Sequence, residues 1–179
     1  MENQITANII QTPEISYRTA FRWSIATLIS FVAMFLSFPL ASKFPNTIYL
    51  STVLAVIFHF TLLPVIAAMP APAWTKMSGY TWALIDIILA VAGINGVSND
   101  TIESLRAGVH VSLIAWPLGI AFVNKGFLRW ASIAFAVSIG PIPLLGKLVS
   151  PVTRFIALPF ILTFFVAIIV EFKKLKEKS

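Results

Sequence analysis

The sequence predicts an all-α fold, an integral membrane bundle of six transmembrane helices joined by short loops. Hydrophobic residues make up 58% of the 179 residues and charged residues only 11%, whereas soluble domains carry about 25% charged residues. The apolar residues form continuous stretches, not the alternation at period two that marks a membrane β-barrel. Because backbone groups in lipid must be hydrogen-bonded within their own segment, these stretches favour helices.

Six apolar stretches are each close to the roughly 20 residues that a membrane-spanning helix needs. Their predicted bounds are 23–41, 48–69, 80–97, 107–123, 127–145 and 152–170. We interpret residues 1–179 as a single transmembrane domain, in which residues 171–179 form a basic cytoplasmic tail.

Capping residues and prolines predict where several of these helices begin and end. Thr12-Pro13-Glu14 and Ser150-Pro151 place a proline after a capping hydroxyl, a pattern typical of helix starts. They predict the starts of the first and sixth helices. Pro70-Ala71-Pro72 is expected to end the second helix. Asp100 followed by Glu103 resembles a capping box, which predicts that Asp100 caps the fourth helix.

The fourth and fifth helices are expected to be kinked. Pro117 lies inside the fourth span, and Gly140-Pro141-Ile142-Pro143 lies near the end of the fifth. A proline within a helix removes a backbone donor and clashes with the preceding turn. The prolines therefore predict a bend in each helix.

The distribution of basic residues predicts the orientation. With six spans, the side that holds both termini carries nine Lys and Arg residues and the other side carries four. The positive-inside rule then places both termini in the cytoplasm of a multi-pass protein of the plasma or inner membrane. The basic residues lie beside apolar segments, which favours contact with anionic membrane lipids over nucleic acid as the explanation of the +6 charge.

Several classes of chemistry are excluded by composition. The chain has no cysteine and two histidines, which excludes disulfides, thiolate metal sites and a three-histidine zinc site. The sequence contains no phosphate-binding loop, GxGxxG, HExxH or GxSxG motif. We therefore predict no catalytic set, no metal and no cofactor.

Asp86 is the first candidate site residue, because an acid within a span is expensive and is a functional hypothesis by default. Helical spacing places it on a stripe of small residues with Ala83, Ala90 and Gly93, which predicts a face packed against another helix. His59 in the second span is its expected partner, with a depth that differs by roughly 6 Å. Such a pair could relay protons or bind a cation. The alternatives are a pair that only fixes helix register, or an Asp86 that reaches Lys76 at the interface.

Glu103, Arg106 and His110 form a second candidate cluster. Their spacing of three and four places them on one face at the outer end of the fourth helix. With Lys147 and Arg154 they could line an outer vestibule, and the alternative is a salt bridge at a water-exposed helix end. We expect this cluster and the Asp86 pair to lie at opposite depths.

Trp116 is the last candidate, because it lies inside the fourth span directly before Pro117. Kinks in membrane helices often border cavities, although many are packing features.

The sequence therefore favours a non-enzymatic protein that transports or binds a small solute or ion at a polar intramembrane site. The alternative is an accessory or scaffold subunit of a membrane complex, whose small-residue faces dock on a partner subunit or a second copy. A membrane-embedded enzyme acting on lipids is a third class, for which only Asp86, His59, Glu103 and His110 offer acid–base groups.

Overall fold

The structure is a computed structural model that describes residues 15–44, 48–140 and 151–178, and these residues form six α-helices. This confirms the predicted all-helical architecture. The helices are α1 Tyr17–Lys43, α2 Ile48–Ala68, α3 Ala73–Ile94, α4 Asn99–Val123, α5 Gly126–Ile139 and α6 Pro151–Lys178.

Five of the helices, α1 to α4 and α6, are long and apolar enough to cross a membrane, which is consistent with a multi-pass membrane protein. The remaining helix, α5, has 14 residues and a length of about 21 Å at 1.5 Å per residue. That is shorter than the hydrocarbon core of a bilayer, which is about 30 Å thick. The predicted fifth span, 127–145, includes residues 141–145, which lie outside the described residues.

Several helices begin earlier or end later than the apolar stretches predicted. Helix α3 begins at Ala73, whereas its apolar stretch begins at residue 80. Helix α4 begins at Asn99, close to its predicted cap and ahead of the apolar stretch at residue 107, and α6 continues to Lys178. The basic tail is therefore mostly the last turns of α6. An apolar stretch marks the part of a helix that matches hydrocarbon, whereas the helix itself continues through the polar interface.

The predicted cap of α4 is wrong. The N-cap is Ser98, whose hydroxyl accepts a hydrogen bond from the backbone N–H of Thr101 at 3.3 Å. Asp100 lies in the first turn of α4, and Glu103 pairs with Arg106 and does not reach back to a cap. Serine and aspartate are similarly good caps, so the residue types alone did not distinguish Ser98 from Asp100.

The other boundary predictions have different outcomes. Helix α2 ends at Ala68, before Pro70, as predicted. Thr12-Pro13-Glu14 and the prolines of the fifth span, Pro141 and Pro143, lie outside the described residues. Pro117 lies within α4, which continues beyond it to Val123, and the kinks of α4 and α5 remain predictions.

The helices form a ring in which neighbours in sequence are antiparallel neighbours in space. Each helix packs on the next, and α6 packs on α1. Side-chain hydrogen bonds to backbone carbonyls join Thr27 to Thr61 at 2.9 Å and Ser51 to Ser37 at 3.3 Å, so α1 and α2 run in opposite directions. Tyr17 lies beside Phe172, with ring centroids 6.4 Å apart. Both ends of the described chain therefore lie at the same end of the bundle.

An aromatic core joins all six helices. Every helix contributes at least one buried ring, and ring centroids of successive members lie between 4.6 and 6.2 Å apart. Each aromatic pair contributes about 0.5–1.5 kcal/mol beyond area burial. The bundle is thus held together by apolar packing. The rings are those of Phe31, Phe58, Trp82, Trp116, Phe135, Phe164 and Phe165.

Glycines bring α3 and α4 close together. A Cβ atom at Gly79 would lie 2.9 Å from Cδ1 of Trp116, so the indole ring fits directly against the α3 backbone. Gly119 of α4 packs in the same way against Thr75 and Trp74 of α3. Both contacts lie towards the start of α3 and the end of α4, roughly 10 Å or more along the helix axis from Asp86.

Candidate functional site

The Asp86 carboxylate is buried in the bundle and contacts donors on three helices. Asp86 is 9% exposed and lies eight residues before the end of α3 at Ile94, which is about 12 Å from that end. Oδ2 accepts a hydrogen bond from Nε1 of Trp82 at 2.8 Å. Oδ1 accepts one from Nε of Arg106 at 3.2 Å, and His59 Nε2 lies 3.4 Å from Oδ2.

Helix geometry explains how these three partners meet. Trp82 and Asp86 are four residues apart on α3 and therefore lie on one face. His59 comes from α2 and Arg106 from α4, the two helices that pack on either side of α3. The expected pairing of Asp86 with His59 is thus present in the structure. The alternative pairing of Asp86 with Lys76 is not present, since the Lys76 ammonium donates to the carbonyl of Ala67 at 2.8 Å.

His59 is buried, and its two ring nitrogens face different partners. Nδ1 lies 2.7 Å from the carbonyl oxygen of Ala55, one turn earlier on α2. Nε2 faces Asp86 at ion-pair distance but makes no hydrogen bond within the described part of the chain. The imidazole is held edge-on between the rings of Phe58 and Trp82, with centroids 4.8 and 5.2 Å away. The aromatic core therefore fixes the direction in which Nε2 points.

Arg106 connects the buried carboxylate to the surface. Its Nε contacts Asp86 and its Nη1 donates to Glu103 at 3.1 Å. The side chain of Arg106 is 32% exposed and that of Glu103 is 61% exposed. His110 follows Arg106 by one turn, and its Nδ1 contacts the Arg106 carbonyl at 2.6 Å. His110 is also close enough to Asp86 to interact with it electrostatically.

The expectation that the two clusters lie at opposite depths is wrong, because Arg106 belongs to both. The helix bounds give the reason. Since α3 begins at Ala73 and ends at Ile94, Asp86 is closer to the end where α4 begins than to the end where α2 leads into α3. A predicted start at residue 80 placed it near the other end.

A groove leads from the end of the bundle to this network. It has a volume of about 240 Å³ and lies between the start of α2, the end of α3 and the start of α4. Asp86 is not among its lining residues and lies directly behind Arg106. The guanidinium thus separates the groove from the buried carboxylate. The lining consists of Tyr49, Thr52, Leu89, Ala90, Gly93, Ile94, Ile102, Glu103 and Arg106.

Trp116 lies in the aromatic core and not in the groove. It is fully buried, stacks on Trp82 at 5.8 Å and meets Phe164 edge-on at 5.3 Å. Its Nε1 has no hydrogen-bond partner among the described residues. Trp116 therefore supports Trp82, which itself donates to Asp86. Of the residues expected to line an outer vestibule, Lys147 and the side chain of Arg154 lie outside the described residues.

Two residues of the site were not identified from sequence. Trp82 was detectable, because a donor four residues from a buried acid shares its helix face. Tyr49 lines the groove from the first turn of α2, and no local pattern distinguishes it from an interfacial residue. Its role depends on how three helix ends meet.

Chemically, the network offers two carboxylates, one guanidinium and two imidazoles, of which one carboxylate and one imidazole are buried. In the described ranges 15–44, 48–140 and 151–178, no group of three or more His, Cys, Asp or Glu side chains is arranged to hold a metal ion. These features are consistent with a multi-helix membrane protein that carries an ionisable cluster inside the bundle. Comparisons with protein-family models, curated proteins and solved structures give no match to the chain.

Proposed function

We propose that this protein binds and transports a small polar solute or ion through the site formed by Asp86, His59 and Arg106. The observation that carries the proposal is a carboxylate about 12 Å inside a span, held by donors from three helices directly behind a groove. The groove supplies the approach and the network supplies the polar contacts. Glu103 and His110 complete the site on the α4 side.

A purely structural role explains the cluster less well. Ionised groups taken out of water carry a desolvation penalty of several kcal/mol each, and well-packed apolar residues of similar volume often stabilise a protein as much or more. The aromatic core already links all six helices without any charge. An acid inside a membrane helix is therefore better explained by a solute or ion that uses it.

We also propose that the groove opens on the outer face of the plasma or inner membrane. The groove lies at the end of the bundle opposite Tyr17 and Phe172, where α1 begins and α6 nears its end. The excess of Lys and Arg on the side of the termini favours a cytoplasmic location for that end. A solute then enters from outside and meets Glu103 and Arg106 before Asp86.

Charge movement across a reconstituted membrane tests this function. The purified protein is placed in liposomes on a solid-supported electrode and challenged with jumps of potassium or guanidinium as cations, acetate as an anion, or glycine as a zwitterion. We expect a saturable current with at least one of them. Asp86→Asn keeps the side-chain size and one acceptor oxygen, and should abolish that current.

Glu171→Gln is the matched control, because it removes a carboxylate of α6 that pairs with Lys174, one turn away, at 3.8 Å. It should leave the current unchanged. Size-exclusion profiles and circular dichroism confirm that each variant is folded. A folded Asp86→Asn protein with undiminished current would show that the site is not used, and the absence of a response to all four probes would remove the transport proposal.

A further inference from the structure

We propose that the His59–Asp86 pair is a proton-binding site, in which the exchangeable proton resides on Nε2 of His59 and is the coupling ion of the site. This inference rests on the proposed function for its coupling role. The proton site itself stands on the geometry around His59 and is tested separately below.

The hydrogen bond of Nδ1 identifies which nitrogen carries the first proton. A carbonyl oxygen can only accept, so Nδ1, at 2.7 Å from the Ala55 carbonyl, must be protonated. A neutral ring with a proton on Nδ1 presents an unprotonated lone pair at Nε2. That lone pair would face the Asp86 Oδ2 atom at 3.4 Å, and two acceptors would then oppose each other inside the bundle. A second proton on Nε2 turns this repulsion into an ion pair.

The charges nearest to His59 favour the same state. Arg106 contacts Oδ1 of Asp86 and shares its charge with the exposed carboxylate of Glu103. A proton bound at Nε2 places a further positive charge beside Oδ2.

The membrane-spanning parts of α1 and α6 offer no group that could supply this charge. No titratable side chain occurs in residues 23–42 of α1 or in residues 155–170 of α6. The groups that face His59 therefore come from α3, as Asp86, and from α4, as Glu103, Arg106 and His110. His110 also donates from Nδ1, to the Arg106 carbonyl, but it is half-buried and makes no ion pair within the described residues.

Arg106 links the proton to the solute. Arg106 and His59 share the Asp86 carboxylate, one at each oxygen. A solute group that draws the guanidinium into the groove leaves Asp86 with less positive charge, which strengthens its hold on the protonated His59. By reciprocity, the bound proton raises the affinity for that solute. Proton and solute are then bound together and move in the same direction.

Nitrogen-15 NMR of the histidine rings in lipid bilayers tests the proton site, because the chain has only two histidines and ring shifts distinguish the imidazolium from each neutral tautomer. At neutral pH we expect His59 as the imidazolium in the unmodified protein. We expect complete loss of that signal, with the proton kept on Nδ1, in Asp86→Asn. His110→Gln assigns the two signals and should leave that of His59 unchanged.

A neutral His59 in the unmodified protein would overturn the inference without any variant, whichever nitrogen carries the proton. An imidazolium that persists in a folded Asp86→Asn protein would also overturn it. The two proposals can fail independently. An imidazolium that depends on Asp86, without any solute current, supports the proton site and contradicts the transport function. A neutral His59 together with a solute current contradicts the proton site and supports the transport function.

Discussion

Arg106 and Asp86 meet across the α3–α4 interface, with Nε 3.2 Å from Oδ1, and this ion pair joins a buried carboxylate to a groove open to solvent. The pair forms because α3 and α4 are packed antiparallel neighbours, which brings the later part of α3 beside the start of α4. It is both a contact between helices and a barrier in front of a polar site.

The ion pair should contribute to stability in a way that a double-mutant cycle can measure. Asp86→Asn, Arg106→Gln and the double variant should give a coupling of about 1–3 kcal/mol in the free energy of unfolding, since neighbours in one network are not additive. The cycle through Glu103→Gln and Arg106→Gln is the control. That pair is mostly exposed, so its coupling should stay below about 1 kcal/mol. Unfolding in mixed micelles of increasing SDS content provides the free energies, and an equal coupling in both cycles would contradict the burial argument.

A methyl group at position 79 should destabilise the bundle. Gly79→Ala would place Cβ 2.9 Å from Cδ1 of the fully buried Trp116, and overpacking of this kind costs about 1–3 kcal/mol. Gly108→Ala is the control, because nothing lies within 4 Å of a Cβ at that position. It should be neutral or stabilise α4 by up to about 1 kcal/mol through helix propensity. The SDS unfolding assay compares the two, and equal stability of both variants would show that α3 and α4 are farther apart.

Both the N–H and the ring of Trp82 should contribute to the stability of the bundle. Trp82→Phe keeps an aromatic side chain beside Trp116 and His59 but removes the donor to Asp86 Oδ2. We expect a loss of about 1–3 kcal/mol in the free energy of unfolding, because a buried acceptor loses a partner. Trp130→Phe, at a mostly exposed ring of α5, should change it by less than about 0.5 kcal/mol. A Trp82→Phe protein as stable as Trp130→Phe would mean that the bond contributes little.

The number of helices and one contact of the site followed from sequence, and the rest required the fold. Six apolar stretches gave the helices, and the small-residue stripe around Asp86 correctly indicated a face turned towards His59. The link to Arg106 was missed because the hydropathy of residues 73–79 is interrupted by polar residues. A start displaced by seven residues shifts the apparent depth of Asp86 by about 10 Å. The groove depends on three helix ends at once, which no local pattern encodes.

For the aromatic core too, the sequence predicts which rings lie in membrane spans, and only the fold determines which rings meet. Hydropathy places Phe31, Phe58 and Trp82 in membrane spans, but it does not say which faces of the ring of helices they share. Their mutual contacts follow from the order in which the six helices close the ring. Trp116 was singled out for its position before Pro117, whereas its location is determined by Gly79, which leaves room for the indole.

The central claim is that water reaches the polar network through the groove, and cysteine accessibility measures this most directly because the chain has no native cysteine. Ala90→Cys places a thiol in the groove lining, and Ile88→Cys places one on the outward face of the same helix, where the side chain is 62% exposed to what should be lipid. Labelling by a charged maleimide needs the thiolate, which forms in water and not among acyl chains. In liposomes exposed to reagent on both sides, we predict rapid labelling at position 90 and at least tenfold slower labelling at position 88. Equal, slow labelling at both positions would mean that the groove is dry, and would contradict the account.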